Sequence, residues 1–412
     1  MATVQEKVQA QYEKWVYPEP VADLTVPGPN TRRDLGDPQT NWLTYWPAEP
    51  FRDDLDILVA GCGANAAARY AFHNRRARVT GIDLSASSLA HERYLQEKHG
   101  LTNLTLHQGR LEEIASLGKT FDFIETSGVL HHLPDPTAGL RALKTVLRPD
   151  GVIAVMVYGR YGRGRIYQLQ DLFQTLGVGQ EPADVAFVKQ TLRALPEYSD
   201  GSDPFRGGSG DLHFDAGIVD TLLHPQDRAY TVQDCLDLTR DAGLAFMGWW
   251  NNLMRYPEGQ LDVGSELFRR IASLPDEQIW KAMEVYSGHL SQHMFCVCHP
   301  SRAESTYRID FATDAFLDYV PVRRSAEMTP PPKGTPPGCI AVHSGKTSAH
   351  VLNPVAAALY RQIDSTKTIR QCADSAGAAL AGQDPVRAAR STFLYLWRLG
   401  YIFVRLPKAA RA

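Results

Sequence analysis

The chain has 412 residues, which at about 150 residues per domain predicts two or three domains. Apolar residues make up 44% and charged residues 22% of the sequence, a composition typical of a globular protein and not of a disordered or fibrous chain. The net charge is −3, but residues 331–412 hold 11 Lys and Arg against three Asp and no Glu, so the C-terminal part is basic and the rest is acidic.

The sequence also argues against several locations. The longest apolar run, Val152 to Tyr158, is far shorter than the roughly 20 residues that span a bilayer, and the charged first 15 residues are unlike a secretory signal. Six scattered cysteines without a C-x-x-C pair indicate neither a disulfide framework nor a zinc ribbon. We therefore expect a cytoplasmic protein with no membrane partner.

Residues 1–45 predict an N-terminal helical arm that serves as a lid. Val4, Val8, Tyr12 and Trp15 recur at helical spacing, and the pattern then breaks at a Pro-rich segment. A short amphipathic helix followed by an irregular stretch is the expected structure.

From residue 55 onward, short apolar strands alternate with helical segments such as Thr137–Leu147. This alternation predicts an α/β domain over residues 46–300, with a mostly parallel, doubly wound sheet covered by helices on both faces. The expected strands are Asp56–Ala60, Arg78–Asp83, Leu104–Gln108, Phe121–Glu125 and Gly151–Tyr158.

The alternation stops over residues 160–230, which we interpret as an inserted helical cap. Tyr167–Leu176 and Val185–Leu195 predict helices, and Ser199–Asp215 predicts a polar loop. The alternation then resumes and completes the sheet at its far edge. The segments expected there are helix Val232–Ala242, strand Ala245–Trp250, helix within Ser265–Leu290 and strand His293–His299.

The last part of the chain predicts a strand and Pro-rich linker over residues 301–337 and a small α+β domain over residues 338–412. Three helix starts are marked by capping residues, and a glycine marks the end of the third helix before a closing strand. These signals are Asn353-Pro354, Thr368 with Gln371, Asp384-Pro385, Gly400 and Tyr401–Leu406.

The sharpest local signal is an apolar strand that runs into the turn Gly61-Cys62-Gly63 and then into a helix. Glycines at such a turn let the backbone approach a ligand, and the helix N-terminus offers it amide groups. Asp83 ends the next strand, where a carboxylate can accept hydrogen bonds from both hydroxyls of a ribose. With Ala66 in the third glycine position, the same residues also fit the fingerprint of NAD enzymes.

Four further blocks of sequence distinguish this chain from the NAD enzymes. In their order along the chain they resemble class I S-adenosylmethionine-dependent methyltransferases of the small-molecule type, which have a Rossmann-like doubly wound sheet. The resemblance is strong over about residues 50–160 and weaker to residue 300. The blocks are Gln108-Gly109, Phe121-Asp122-Phe123, Ser127 to Asp135 with its Leu-His-His-Leu-Pro-Asp run, and Leu147-Arg148-Pro149-Asp150-Gly151.

The resemblance implies that S-adenosylmethionine is the cofactor. Gly61, Cys62 and Gly63 would then line its methionine part, and Asp83 with Leu84 would bind its ribose. The other implied contacts are Gln108, Gly109, Arg110 and Leu111 to the adenine, and Ser127, Gly128 and Val129 beneath the sulfonium.

Three positions depart from the family pattern. Val59 stands where an acid usually precedes the glycines, Asn65 replaces the common third glycine, and Arg110 stands where an Asp often meets the adenine amino group. The adenine contacts are therefore less firmly implied than the ribose contact.

The implied reaction is an in-line displacement in which the acceptor attacks a methyl group, so positioning and desolvation provide most of the acceleration. A base is needed only where the acceptor must lose a proton. The candidate catalytic residues are His131, His132, Tyr158 and Tyr161, although the two histidines can equally serve to cap and pack their loop. We do not expect Cys62 to act as a nucleophile.

The acceptor is less defined. Arg160, Arg163 and Arg165 on a Gly-rich loop after the fifth strand can clamp a carboxylate or phosphate, which would predict an anionic acceptor; the alternative is a solvated loop. His213 and His224 in the cap, each spaced with aspartates, are further candidates for acceptor binding. The same spacing can suit a metal ion, but we expect none.

The C-terminal domain resembles a winged helix, particularly the peptide-recognising type associated with peptide-modifying enzymes. Its basic charge suits an acidic peptide or nucleic acid, or docking onto the acidic remainder of the chain. Phe393, Leu396, Trp397 and Tyr401 at helical spacing predict core packing and not a platform for stacked bases.

Our leading hypothesis is a methyltransferase that acts on a small, anionic or neutral, organic acceptor. The alternatives are a methyltransferase for a peptide or protein recruited by the C-terminal domain, and a cofactor-sensing regulator that binds nucleic acid. Nucleic acid is the least expected partner, and a homodimer is compatible with the sequence. An NAD dehydrogenase would leave the His131–Asp135 and Leu147–Gly151 blocks unexplained.

Overall fold

The chain forms two compact units, each built from segments that are separate in the sequence. A computed structural model describes residues 3–28, 36–195, 210–324, 326–344 and 349–408, so most of the predicted loop at Ser199–Asp215 lies outside the described residues. The first unit comprises residues 1–40, 52–248 and 288–301, and the second comprises residues 41–51, 249–287 and 302–412.

The helices and strands alternate along most of the chain. The helices are α1 (Val4–Lys14), α2 (Trp42–Tyr45), α3 (Ala66–His73), α4 (Ala86–His99), α5 (Pro136–Thr145), α6 (Gly164–Thr175), α7 (Pro182–Ala194), α8 (Asp215–Leu222), α9 (Val232–Asp241), α10 (Glu266–Ala272), α11 (Asp276–Ser287), α12 (Pro354–Arg361), α13 (Ile369–Ser375) and α14 (Pro385–Arg398). The strands are β1 (Asp56–Ala60), β2 (Arg78–Asp83), β3 (Leu104–Gln108), β4 (Phe121–Ser127), β5 (Leu147–Tyr158), β6 (Ala245–Trp249), β7 (Gln292–Cys298), β8 (Val320–Arg323), β9 (Ala326–Thr329), β10 (Ile340–Ser344), β11 (His350–Leu352) and β12 (Ile402–Arg405).

A seven-stranded sheet with the order β3-β2-β1-β4-β5-β7-β6 forms the centre of the first unit. Strands β1 to β5 are parallel to their neighbours, whereas β7 is antiparallel to β5 and pairs Val297 with Ile153. Ile57, Leu58 and Val59 in β1 are fully buried because helices cover both faces, as the uninterrupted apolar run predicts. The predicted doubly wound α/β fold is confirmed, and β6 and β7 lie at the far edge as expected.

Two predicted helices end differently in the structure. Helix α5 stops at Thr145, and Leu147 pairs with Phe121 as the first residue of β5, so its assignment to the helix was wrong. An apolar residue at helical spacing cannot reveal that its backbone bonds with a strand. The predicted helical stretch Ser265–Leu290 is two helices, α10 and α11, because Pro275 interrupts the backbone between them.

A network of ion pairs joins the start of strand β1 to strand β4 and to strand β5. Asp122 accepts hydrogen bonds from Arg52 (2.5 Å), Arg148 (2.5 Å) and the Asp56 backbone N–H (2.8 Å). The Asp56 carboxylate in turn binds Arg78 (2.6 Å) and Arg148 (2.5 Å). The hydrogen bond from Arg78 lowers the Asp56 pKa most, against the opposing effect of burial. One carboxylate, Asp122, therefore joins three strands.

We expect the Asp122→Asn substitution to lower the free energy of unfolding by about 2–3 kcal/mol, because it removes the buried anion that two arginines and a backbone amide share. Urea denaturation followed by circular dichroism measures this change. The matched control is Asp53→Asn, whose partner Arg76 has a 75% exposed side chain, so its effect should stay within about 0.5 kcal/mol. Equal effects of the two substitutions would contradict the assigned role of Asp122.

The helical cap packs around its own apolar cluster within the first unit. Ile166, Leu169 and Phe173 of α6 meet Val185 and Val188 of α7, and residues of α8 complete the cluster. The predicted helices at Tyr167–Leu176 and Val185–Leu195 are therefore present, each beginning three residues earlier than expected.

The second unit has a separate core around α12, α13 and α14. All three predicted helix starts are confirmed: Asn353, Thr368 and Asp384 each accept a backbone amide of the first turn. Two small antiparallel sheets, β11-β10-β9 and β12-β8, accompany the helices. The resemblance to a winged helix stays a prediction.

The second unit also includes segments that the predicted boundaries placed elsewhere. Residues 41–51 and 249–287 pack with the C-terminal helices, and Tyr256 lies against both Trp280 and Trp397. Aromatic contacts between residues so far apart in sequence leave no periodic signal. Within the described part of the chain, no helix has the length and apolar character needed to cross a membrane.

Candidate active site

The turn after β1 needs glycine at two positions. Gly61 and Gly63 have φ angles of 77° and 54°, in the left-handed region that disfavours side chains. A Cβ atom on Gly61 would lie 2.3 Å from Val129 Cγ2, and one on Gly63 would lie 2.8 Å from the Tyr17 carbonyl oxygen. The predicted glycine turn is therefore held closely between two other segments.

We expect Gly63→Ala to lower affinity for S-adenosyl compounds at least tenfold, because left-handed strain of about 1–2 kcal/mol adds to the overlap with Tyr17. Gly100→Ala is the matched control: Gly100 has a φ of 58°, but a Cβ added there would have no described atom within 4 Å. Calorimetric titration with S-adenosylhomocysteine should show loss of affinity in the first variant and none in the second. An unchanged Gly63→Ala affinity would contradict the close fit.

The N-terminus of α3 is closed by a carboxylate. Buried Glu92 accepts hydrogen bonds from the backbone amides of Ala67 (2.9 Å) and Ala68 (2.8 Å). The expectation that this helix end offers its amides to a ligand is therefore wrong, because those donors are already satisfied. A dinucleotide pyrophosphate at the same helix end would have to displace the Glu92 carboxyl group from these two amides, which argues against the NAD alternative.

Asp83 lies where β2 meets the glycine turn. Its carboxylate accepts hydrogen bonds from the backbone N–H groups of Gly63 (2.8 Å) and Ser85 (2.9 Å). Burial raises the Asp83 pKa, and these backbone hydrogen bonds oppose the rise. The sheet thus places a carboxylate directly beside the turn, as the sequence predicts.

A cavity of about 350 Å³ lies over this turn. Helix α1 and the segment after it form one wall through Gln5, Val8, Tyr12, Tyr17 and Pro18, so the N-terminal arm lies against the cavity. Most of the predicted cofactor residues line it, namely Gly61, Cys62, Gly63, Asp83, Leu84, Gly109, Leu111, Ser127, Gly128 and Val129.

Two predicted adenine contacts do not line this cavity. Gln108 is exposed and donates its side-chain amide to the Leu84 carbonyl oxygen (3.1 Å). Arg110 directly precedes a 3₁₀ helix that begins at Leu111. Gly109 and Leu111, on either side of Arg110, line the cavity, and Glu112 does so as well.

The four predicted catalytic residues occupy different environments. His132 and Tyr158 line the cavity, whereas Tyr161 is 43% exposed and does not. His131 is fully buried against the Tyr158 ring, at 4.1 Å between ring centroids, and neither ring nitrogen has a hydrogen-bond partner among the described residues. Burial holds the His131 pKa well below its usual value. Of the two histidines, only His132 can therefore meet a bound acceptor.

The hydrogen bonds of His132 define its neutral tautomer. Its Nδ1 lies 2.8 Å from the Gln226 carbonyl oxygen, which only accepts, so Nδ1 carries the proton. In the neutral ring Nε2 then keeps its lone pair. The side chain therefore presents a proton acceptor in the wall of the cavity.

Three side chains beside His132 form a directed hydrogen-bond chain. His224 Nδ1 accepts from the Gln226 backbone N–H (3.0 Å), so its Nε2 carries the proton and lies 3.4 Å from Tyr12 Oη. Tyr12 Oη donates to Asp220 Oδ1 (2.7 Å). Because His224 Nε2 is a donor, we interpret this group as a hydrogen-bonded cluster and not as a metal site. Asp220 is one of the aspartates spaced with His224 in the sequence, whereas Tyr12 was missed as a site residue.

The structure does not bring the three loop arginines together. Exposed Arg160 lies 3.6 Å from Asp234, and Arg165 contacts Gln168 on α6. Arg163 is buried over the Tyr158 ring, 3.5 Å from its centroid, and lies 3.8 Å from Asp227. The predicted anion clamp is therefore absent from the cavity wall that the structure describes. His213 is exposed, and His224 lies behind the wall.

Known proteins share this architecture. Residues 58–155 match a family model described as a methyltransferase domain. The chain is 28% identical over 313 residues to an uncharacterized protein of Synechococcus sp., covering 71% of each. It is 31% identical over 108 residues to a ubiquinone biosynthesis O-methyltransferase of Haemophilus ducreyi, which is 25% of this chain and 45% of that relative. The structure of PKMT2 from Rickettsia typhi in complex with AdoHcy has a TM-score of 0.61 at 14% identity, covering 90% of this chain and 75% of that chain.

The strand order with antiparallel β7, the glycine turn and the family match define a class I methyltransferase. Its cofactor is S-adenosylmethionine. The residues present fit this group: the glycine turn leaves space that a side chain would fill, and the Asp83 carboxylate lies beside it. The chain is therefore an S-adenosylmethionine-dependent methyltransferase.

Proposed function

We propose that this enzyme methylates a hydroxyl group of a small organic acceptor, with His132 as the general base. S-adenosylmethionine, when bound, supplies an electrophilic methyl group on a good leaving group. The observation that carries the proposal is that His132, whose Nε2 keeps its lone pair, lines the cavity. The acceptor proton passes to this nitrogen, while the oxygen electron pair that held it forms the new bond to carbon.

The neighbouring side chains support such an acceptor. His132 shares the cavity lining with Tyr12, Tyr17 and Tyr158, aromatic residues that suit an organic molecule of limited size. The names of several relatives, the ubiquinone biosynthesis O-methyltransferases, favour oxygen as the methylated atom. Because Arg163 lies behind Tyr158, the proposal does not require an anionic acceptor. The six cysteines, which all lie in the described part of the chain, form no disulfide there, and this agrees with a cytoplasmic location.

The test uses the full-length protein and S-adenosylmethionine labelled in the methyl group. One panel contains phenols and catechols, and a second contains peptides with free hydroxyl and amino groups. We expect label to enter hydroxyl compounds of the first panel and S-adenosylhomocysteine to inhibit the transfer. Label found only in peptides would overturn the small-molecule proposal and favour recruitment of a peptide by the second unit.

A further inference from the structure

We propose that helix α1 is a lid over the cofactor cavity and that the Glu13 carboxylate is the contact that holds this lid closed. S-adenosylmethionine enters, and S-adenosylhomocysteine leaves, only after Glu13 separates from helix α4. Glu13 does not itself line the cavity, so it acts as a positioning residue. The inference concerns exchange of the cofactor and depends neither on the acceptor nor on His132.

One face of α1 belongs to the cavity wall. Gln5, Val8 and Tyr12 line the cavity, and their spacing of three and four residues places them on the same side of the helix. Beyond the helix, the Tyr17 carbonyl oxygen would lie only 2.8 Å from a Cβ atom on Gly63. The arm and the glycine turn therefore line the same cavity, and a cofactor bound there contacts both.

Glu13 binds the start of α4 through three hydrogen bonds. Its carboxylate accepts from the backbone N–H groups of Ala86 (2.7 Å) and Ser87 (3.0 Å) and from the Ser87 hydroxyl (2.8 Å). The first amides of a helix have no partner within the helix and lie at the positive end of its dipole, so they bind an anion well. A single charged side chain of α1 thus closes the end of a neighbouring helix.

The segment that receives Glu13 also positions Asp83. The Ser85 backbone N–H donates to the Asp83 carboxylate (2.9 Å), and the Ser85 hydroxyl donates to the Tyr12 carbonyl oxygen of α1 (3.1 Å). Gln9 of α1 donates to the Leu84 carbonyl oxygen (3.4 Å). Closure of α1 and the placement of Asp83 therefore depend on the same residues. Because coupling between two equilibria is reciprocal, a cofactor bound beside Asp83 favours the closed lid, and the closed lid favours the bound cofactor.

Two other contacts of α1 and the residue after it reach the helical cap, and each is weaker. Trp15 donates its Nε1–H to the Gln180 carbonyl oxygen (3.1 Å), which joins two neutral groups. Lys14 lies 2.8 Å from Glu181, but their side chains are 41% and 75% exposed, and exposed ion pairs contribute little. Hydrogen bonds to an ionised group are about twice as strong as neutral ones, so Glu13 contributes more than either contact.

The test measures the release of S-adenosylhomocysteine from the full-length protein. Labelled compound is bound first, an excess of unlabelled compound is added, and the bound label is followed over time. We expect Glu13→Gln to release the label about 10- to 100-fold faster than the wild type, because the amide cannot accept all three hydrogen bonds. Lys14→Gln changes the next residue of the same helix, and as the matched control it should stay within about twofold of the wild type.

Hydrogen exchange followed by mass spectrometry distinguishes opening of the lid from general loosening of the protein. Bound S-adenosylhomocysteine should slow exchange of α1 in the wild type. Glu13→Gln should speed exchange of α1 while leaving α14 unchanged, since α14 contributes no residue to the cavity wall.

A Glu13→Gln variant that binds S-adenosylhomocysteine and releases it at the wild-type rate would overturn the inference. If that variant does not fold, the wild type still decides, because equally fast exchange of α1 with and without the bound compound would reject a lid. These measurements use binding alone. Failure of the labelled acceptor panel would therefore overturn the proposed function while leaving the lid intact.

Discussion

Replacing Asp83 with Ala should weaken S-adenosylhomocysteine binding by about 100-fold. Hydrogen bonds to a charged group contribute about 1.5–3 kcal/mol each, and a carboxylate beside a ribose can accept two of them. The substitution also removes the hydrogen bond that the Gly63 backbone N–H donates to the Asp83 carboxylate (2.8 Å), so the glycine turn loses a restraint. Isothermal titration calorimetry measures the affinity directly.

The matched control is Glu97→Ala, an exposed acid on α4, the helix that follows Asp83. It removes the same charge from the same region without touching the cavity, so the affinity should stay within about twofold. If Asp83→Ala bound S-adenosylhomocysteine as tightly as this control, the cofactor would have to sit elsewhere.

The second large effect is expected for His132→Gln, which should reduce methyl transfer to a hydroxyl acceptor by about 100- to 1000-fold. General bases contribute about 10²–10⁴-fold, and glutamine keeps a polar side chain of similar reach without a titrating nitrogen. Steady-state rates of methyl transfer measure this loss.

His213→Gln provides the control for this substitution, because His213 is an exposed histidine of the helical cap that does not line the cavity. Its rate should match that of the wild type. S-adenosylhomocysteine affinity should change less than about threefold in His132→Gln, which separates loss of the base from loss of the cofactor. A His132→Gln enzyme with full turnover would exclude His132 as the base.

Much of the central sheet was predictable because strands such as β1 and β4 are buried on both faces. Strands β1, β2 and β3 have the bounds expected from short apolar runs that end at glycine or polar residues. The start of β5 was not predictable. Leu147 fits a helical spacing, and only its pairing with Phe121 across the sheet places it in the strand. Tertiary pairing decided where local pattern was ambiguous.

The candidate site likewise contains residues that the local sequence predicts and contacts that it does not predict. The glycine turn and Asp83 are local, since one strand-to-helix connection and the end of the next strand supply them. The Tyr12–Asp220 hydrogen bond joins residues 208 positions apart, and the helical spacing of Tyr12 predicts only a packed helix face. The orientation of His132 depends on the Gln226 carbonyl, which no side-chain pattern can reveal.

The second unit carries a practical consequence for protein engineering. Its core draws on three separate stretches, so no single cut in the polypeptide can release it or remove it cleanly. A fragment of residues 338–412 alone would leave Trp397 without Tyr256, and Leu406 without the Pro47 carbonyl that its amide binds at 2.8 Å. Grafting this unit onto another enzyme would therefore require the transfer of all three stretches, and a C-terminal truncation would leave unmatched remnants in the remaining chain.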